Sequence, residues 1–294
     1  MKLITFRRGS DARPGLALDD AIGLDLGAAD PGLPGRWNEL LGEPALMQRV
    51  ARLARDASQQ GELRPATALF PLAGVELLPP VPAPSKIIAV GLNYRDHAEE
   101  QHKPLPDRPL LFAKAPSCLQ SPAGPILLDA DLTQVDGEAE LAVVIGRAGR
   151  AIPRERARDH IAGYMCFNDV SDREAQYADK QWFRGKSIDT GGPCGPWIVT
   201  PDELPDLANG LAVAGYLNGE SWQRSNTRQL IFPVDELIRW ASLHMTLLPG
   251  DLISTGTPGG VGIYRDPPRF LRPGDVVEVE IEGIGRLTNP VLAR

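Results

Sequence analysis

The stretch Asp136-Gly137-Glu138-Ala139-Glu140-Leu141-Ala142-Val143-Val144-Ile145-Gly146 sets two carboxylates two residues apart at the head of an apolar run. Side chains two apart on a strand share a face. The run therefore reads as a strand on which Glu138 and Glu140 point together, while Ala139, Leu141, Val143 and Ile145 enter the other side. Two like charges meeting at a partly buried place call for a cation between them. Oxygen ligands alone suit a hard divalent ion such as Mg2+ or Mn2+ better than Zn2+, which favours His and Cys. For the pair alone an exposed strand face stays open as the competing reading, since exposed Glu is common.

Around that strand the composition narrows the classes. A chain of 294 residues has room for one large domain, or a large and a small one, with a sizeable core. Lys and Arg total 31 against 38 Asp and Glu, a net charge of -7, which argues against nucleic acid or an anionic membrane as the main partner. An anionic substrate then needs a local positive site. Cys118, Cys166 and Cys194 are odd in number and widely spaced, so neither a disulfide framework nor a thiolate zinc site is indicated. No apolar run approaches the length of a membrane span, and Met1 to Arg8 lacks a signal-peptide core. The expectation is a cytoplasmic protein. Only 6 of the 31 basic residues are lysine, so each lysine raises the question of what a compact ammonium does there that a guanidinium cannot.

In chain order, residues 1–78 read as a small α+β unit. It has a strand at Leu3–Phe6, a hairpin from Gly15–Leu18 to Ile22–Leu26, a short helix at Trp37–Leu41 and a second between Pro44 and Ser58. The proline-rich segment 79–84 is stiff and marks a boundary, and 85–294 form the larger domain. There, Lys86–Val90 is a strand leading into Asn93-Tyr94-Arg95-Asp96-His97-Ala98-Glu99-Glu100. On a helical turn Glu100 lies three residues from His97 and can orient its imidazole as a base, although a surface ion pair gives the same spacing. Three prolines within 101–109 make the next segment a loop, and a base beside a loop suggests a lid.

Pro153 to Ile161 reads as a helix ended by Gly163, followed by a strand from Tyr164 that finishes in Asn168-Asp169. Asp169 is placed to be a third oxygen ligand, or else an Asx turn. A helix starting there would carry Arg173 and Gln176 on its face as well. The segment 182–196 is dense in Gly and Pro and holds Lys186, which could pair with a substrate carboxylate, steady an enolate, act as a Schiff-base amine, or be plain surface charge. A strand at Leu211–Leu217 and a helix after Pro233 with Val234, Leu237, Ile238, Ala241 and Met245 inward read as core. Ser254 to Gly262 is a tight loop, not a P-loop, with hydroxyl and N–H groups able to cradle a carboxylate.

Taken in order, Gly91-Leu92-Asn93-Tyr94 with Asp96-His97, Glu138-Ala139-Glu140-Leu141, Asn168-Asp169-Val170-Ser171, Lys186-Ser187-Ile188-Asp189 and Thr255-Gly256-Thr257-Pro258 resemble the fumarylacetoacetate hydrolase family from about residue 84 onward. The acylpyruvase and diketo-sugar-acid hydrolase branch is the nearest in pattern. The resemblance implies an α+β, mainly β fold: a mixed β-sandwich roll with a small N-terminal α+β domain, assembled as a homodimer. It implies Mg2+ or Mn2+ on Glu138, Glu140 and Asp169, a base dyad at His97 and Glu100, a catalytic Lys186, and substrate contacts at Arg173, Gln176 and Thr257. Ile188 and Gly191-Gly192 depart from the bulkier residues common in the family. The activity implied first is hydrolysis of a C–C bond in a 2,4-dioxo acid, giving pyruvate and a carboxylic acid. Oxaloacetate decarboxylation or keto–enol tautomerisation on the same site comes second, and a non-catalytic dicarboxylate binder third. In every case the partner is a small anionic 2-oxo acid.

Overall fold

The computed structural model describes residues 1–60 and 66–294, and the expected N-terminal unit is therefore described except at 61–65. Its architecture is mainly β, as expected, with two large sheets. The main sheet runs, strand by strand, through Leu69–Pro71, Ile22–Asp25, Asp11–Ala17, Lys2–Arg8, Gly192–Val199, Ile161–Asn168, Ala139–Ile145, Leu252–Ser254, Ile87–Gly91 and Leu110–Lys114. The pairs along this path are antiparallel except Leu252–Ser254 with Ile87–Gly91, which is parallel. A five-stranded sheet lies apart, in the order Glu220–Asn226, Ala212–Leu217, Val276–Ile281, Gly285–Ala293 and Ile126–Leu128.

The strand Ala139–Ile145 sits in the middle of the main sheet, and all seven of its residues are buried. Leu141, Val143 and Ile145 pack with Val213, Val279 and Ile281 of the second sheet and with Val234, Leu237 and Ile238 of the helix Val234–Ser242. Ala142 and Val144 enter a different core with Trp37, Leu40, Val50 and Phe167. Alternation thus feeds two cores from one strand. The carboxylate face is the one that continues as Ala142 and Val144, so the exposed-face alternative does not hold. At roughly 1.5–3 kcal/mol per buried large apolar side chain, this strand is a major contributor to stability.

The N-terminal strands and helices fall where the sequence places them, with the second helix at Pro44–Gln60. Their sheet is continuous with the larger part, because Lys2 pairs with Val199 and Leu3 with Ile198. The proline-rich segment therefore crosses from one region of a shared sheet to another.

Two local readings are corrected. Arg154–His160 forms a 3-10 helix, and the next strand already starts at Ile161, so Gly163 lies inside it. A Cβ on Gly163 would meet the Val199 carbonyl oxygen at 2.3 Å, so the glycine permits close strand approach and ends no helix. From Gly192 the segment dense in Gly and Pro runs on as a strand, Gly192–Val199, despite Pro193 and Pro196. Met245 lies beyond the helix end at Ser242 and is 38% exposed, so it is not core.

Candidate active site

Glu138 immediately precedes the central strand, where its backbone N–H donates to Asn168 Oδ1 at 3.0 Å, and Glu140 is the second residue of the strand. Antiparallel pairing places Ala139 opposite Asn168, which brings Asp169, just past the end of the neighbouring strand, to both carboxylates. Asp169 is outside the helix Arg173–Ala178, whose N-cap is Asp172. Of the three residues expected on one helix face, the helix carries only Arg173 and Gln176. Glu138, Glu140 and Asp169 each offer an oxygen within 4.8 Å of the others, and all three are buried.

Cations brace this cluster. Lys186 Nζ donates to Glu138 Oε2 at 2.7 Å and to Asp169 Oδ2 at 2.8 Å. Lys114, which sequence reasoning passed over, is 1% exposed and donates to Asp169 Oδ1 at 2.6 Å, with the Gly191 carbonyl 3.2 Å away. Arg173 Nε donates to Asp136 Oδ1 at 2.6 Å, Nη2 lies 2.7 Å from Glu138 Oε1, and Nη1 donates to Gln176 Oε1 at 2.9 Å. Asp136, also passed over, holds the loop as well by accepting from Ile263 N at 2.9 Å. Lys114 did carry a signal: it is one of the six lysines and closes the apolar run Leu110-Leu111-Phe112-Ala113.

Four buried carboxylates thus face three buried cations, one negative charge in excess. The excess falls on Glu140. Burial, then the neighbouring Asp169 and Glu138, push its carboxyl well above the ordinary range. Glu138 goes the other way: burial opposes its ionisation, but Lys186 and Arg173 outweigh that and hold it at about 2. Lys186 is likewise penalised by burial but held charged by Asp169 and Glu138, with its pKa raised. A lysine kept as an ammonium is no Schiff-base nucleophile.

The loop Ser254–Gly262 does cradle a carboxylate, and it is the protein's own. Ser254 Oγ and Gly256 N both donate to Glu140 Oε2. Gly256 has φ +101° and no room for a Cβ, which would lie 2.8 Å from Asn93 Cβ. Thr257 Oγ1 donates to the Ala139 carbonyl at 3.1 Å and accepts from Gln223 Nε2 at 2.7 Å.

Opposite the carboxylates, the helix Arg95–Glu100 presents His97, 6% exposed, whose Nδ1 lies 3.0 Å from Glu100 Oε2. Glu100 Oε1 accepts from Gly260 N at 2.8 Å, which ties the dyad to the loop that holds Glu140. A cavity of about 270 Å³ separates His97 and Tyr264 from Glu138 and Glu140, walled by Phe112 and Trp182, whose rings meet edge to face at 5.2 Å. Arg173, Gln176, Lys186 and Thr257 also line it. The expected residues are thus brought together around one small space, while Asp169 and Glu100 stand behind its walls. An all-oxygen triad with one uncompensated negative charge fits a hard divalent cation.

The family model described as fumarylacetoacetate (FAA) hydrolase C-terminal matches residues 86–292. The chain is 43% identical to the oxaloacetate tautomerase fahd2, mitochondrial, of Xenopus laevis over 299 residues, covering 99% of this chain and 90% of the relative. Among solved structures it resembles the fumarylacetoacetate hydrolase of Exiguobacterium antarcticum at 37% identity and TM-score 0.83, covering all of both chains. It also resembles maleylpyruvate hydrolase from Sphingobium sp. SYK-6, solved with manganese(II) and pyruvate, at 33% identity and TM-score 0.76, covering 100% of this chain and 99% of that one. The Xenopus relative is named mitochondrial, which overturns the expectation of a cytoplasmic protein. The same relative is named an oxaloacetate tautomerase, the activity that stood second among the expectations.

Proposed function

The chain belongs to the fumarylacetoacetate hydrolase family, and from that premise we propose that it is a divalent-metal-dependent oxaloacetate keto–enol tautomerase. One observation carries the reading. A histidine braced by a carboxylate faces the same small cavity as Glu138 and Glu140, two of the three buried acidic groups. Keto–enol exchange needs one base and one means of steadying an enolate, with no co-substrate. A cavity of about 270 Å³ lies at the small end of ligand sites and suits a four-carbon acid.

Glu138, Glu140 and Asp169 would hold Mg2+ or Mn2+, whose chemistry there is to polarise the 2-keto group and stabilise the enolate as a Lewis acid. Glu100 accepts the Nδ1 hydrogen of His97 and leaves the Nε2 lone pair to act as base. His97 takes the C3 proton and returns it to the keto oxygen. The Lys186 ammonium, held on the cavity wall, steadies negative charge as it develops. Arg173 spends its guanidinium on Asp136, Glu138 and Gln176, so its part is to orient Glu138 while Gln176 presents the helix face to the substrate.

The test follows the enol absorbance of oxaloacetate with Mg2+ and after EDTA. The protein should accelerate decay of the enol only with the ion present. His97→Ala should lower the rate by about 10²–10⁴-fold, the usual worth of a positioned base, while keeping the rise in melting temperature that Mg2+ produces. No acceleration over buffer would overturn the assignment. C–C hydrolysis of a 2,4-dioxo acid is the second reading, favoured by the likeness to the maleylpyruvate hydrolase, and it takes first place if acylpyruvates alone are turned over.

A further inference from the structure

Both imidazole nitrogens of His97 are engaged. Nδ1 faces Glu100 Oε2 at 3.0 Å, and Nε2 lies 2.7 Å from the side-chain amide nitrogen of Gln101. A carboxylate only accepts, so the hydrogen sits on Nδ1, and the Nε2 lone pair receives the Gln101 N–H. The nitrogen that must do the chemistry is therefore covered by a protein amide. Gln101 also lines the cavity. Its place is fixed by the way the helix ends. Gln101 caps Arg95–Glu100, His102 adopts the left-handed conformation at φ 51°, and His102 N and Lys103 N bond to the Glu99 and Ala98 carbonyls at 3.0 Å each. That is a Schellman closure, and it holds Gln101 one residue beyond the glutamate that braces the ring.

We propose that Gln101 selects the reaction: its amide takes the position at His97 Nε2 that a hydrolytic water would need, reserving the base for proton exchange on an anchored 2-oxo acid. The inference rests on the tautomerase reading. In hydrolysis a water donates its hydrogen to Nε2 while its oxygen attacks the distal carbonyl. The C–C bond then breaks, its electron pair leaves as the enolate, the proton on His97 is returned to the enolate carbon, and the water oxygen stays in the released acid. In keto–enol exchange no water takes part. The C3–H bond breaks, its proton goes to Nε2, its electron pair becomes the C2=C3 bond, and the proton on His97 returns to O2.

The two routes differ in what must sit on Nε2. A tethered amide competes as an intramolecular partner and a solvent water does not, whereas a substrate anchored in the cavity competes on the same footing as the amide. The flexible Gln side chain can swing aside for the substrate.

The experiment compares Gln101→Ala, which opens the space, with Gln101→Met, which refills it without a hydrogen bond. Each variant and the parent are assayed for oxaloacetate tautomerisation and for acylpyruvate hydrolysis with Mg2+. Gln101→Ala should raise the ratio of hydrolysis to tautomerisation by at least about tenfold, whereas Gln101→Met should not open the hydrolytic route. A second arm needs neither substrate nor metal: 15N NMR of the four histidines should show His97 as the Nδ1–H tautomer, with an Nε2 shift that moves in Gln101→Ala. An unchanged ratio, or efficient acylpyruvate hydrolysis by the parent with Gln101 in place, overturns the proposal. An unmoved His97 Nε2 signal overturns it independently. If the parent acts on neither substrate, the tautomerase reading fails, and the NMR arm still decides whether Gln101 covers the base.

Discussion

Glu138 and Glu140 stand two residues apart and titrate in opposite directions, which fixes how pH and metal act on this protein. Glu140 binds its proton more tightly folded than unfolded, because burial, Asp169 and Glu138 all disfavour its charge. Its contribution to stability is full below the ordinary value of 4.5 and is lost as pH rises from there through the raised value. Glu138, held at about 2, contributes above 4.5 and loses that contribution as pH falls toward 2. With EDTA the melting temperature should therefore decline on the alkaline side of 4.5 through Glu140, and Mg2+ should raise it more the higher the pH. Glu140→Gln should flatten that slope and remove the Mg2+ response; overlaid curves for parent and variant would refute it. Lys114 gives a second prediction at this scale. Lys114→Met strips Asp169 Oδ1 of its ammonium, and losing one partner of a buried pair costs about 3–5 kcal/mol. Denaturant melts without metal should show that loss, and a change under about 1 kcal/mol would mean that Lys186 alone satisfies Asp169.

The loop Ser254–Gly262 does two jobs as an element: its first turn holds Glu140, and Gly260 holds Glu100. One segment thus joins the acidic triad to the base dyad from the other side of the cavity. Gly256→Ala forces a side chain into a backbone conformation at φ +101° and toward Asn93. It should weaken Mg2+ binding, read by calorimetry, and lower turnover together, since both ends of the cavity lean on this loop. Loss of turnover with unchanged Mg2+ affinity would show that the loop supports the base alone. Strand spacing is equally exacting at Gly163, where the neighbouring Val199 carbonyl leaves no space for a methyl group. There the requirement is an approach between strands about 36 residues apart in the chain, which helix-end signals near Pro153 cannot report.

Across the whole molecule the main sheet joins the first residues to the active-site strand, so the N-terminal region is part of the scaffold on which the triad is built. Leu3, Trp37 and Val50 share a core with Ala142, Val144 and Phe167. Trp37 Nε1 donates to the Ile4 carbonyl at 2.8 Å, and Thr5 Oγ1 to the Pro80 carbonyl at 2.7 Å, so the region is tied down by buried polar contacts as well. A chain beginning at Ser85 would leave Gly192–Val199 without the Lys2–Arg8 strand and uncover that core. It should aggregate or melt without a cooperative transition. A soluble, cooperatively folding fragment with Mg2+-dependent turnover would show that residues 85–294 stand alone.

By itself the sequence determined what depends on near neighbours and on motif order: the alternation that puts Glu138 and Glu140 on one face, the three-residue spacing of His97 and Glu100, and the family. These are legible because strand and helix periods act over a few residues. Only the tertiary structure decided that Asp169 reaches the pair from outside its expected helix. It also placed Lys114 on Asp169 across 55 positions of chain, and set Asp136 to aim Arg173. Such contacts follow from which strands lie side by side, and in this sheet several neighbours are distant in sequence. Gln101 is the intermediate case. It is adjacent in sequence to the dyad, yet its cover over His97 Nε2 depends on how the helix end turns. Spacing names the residues that can meet, and packing decides which atom of each is left free.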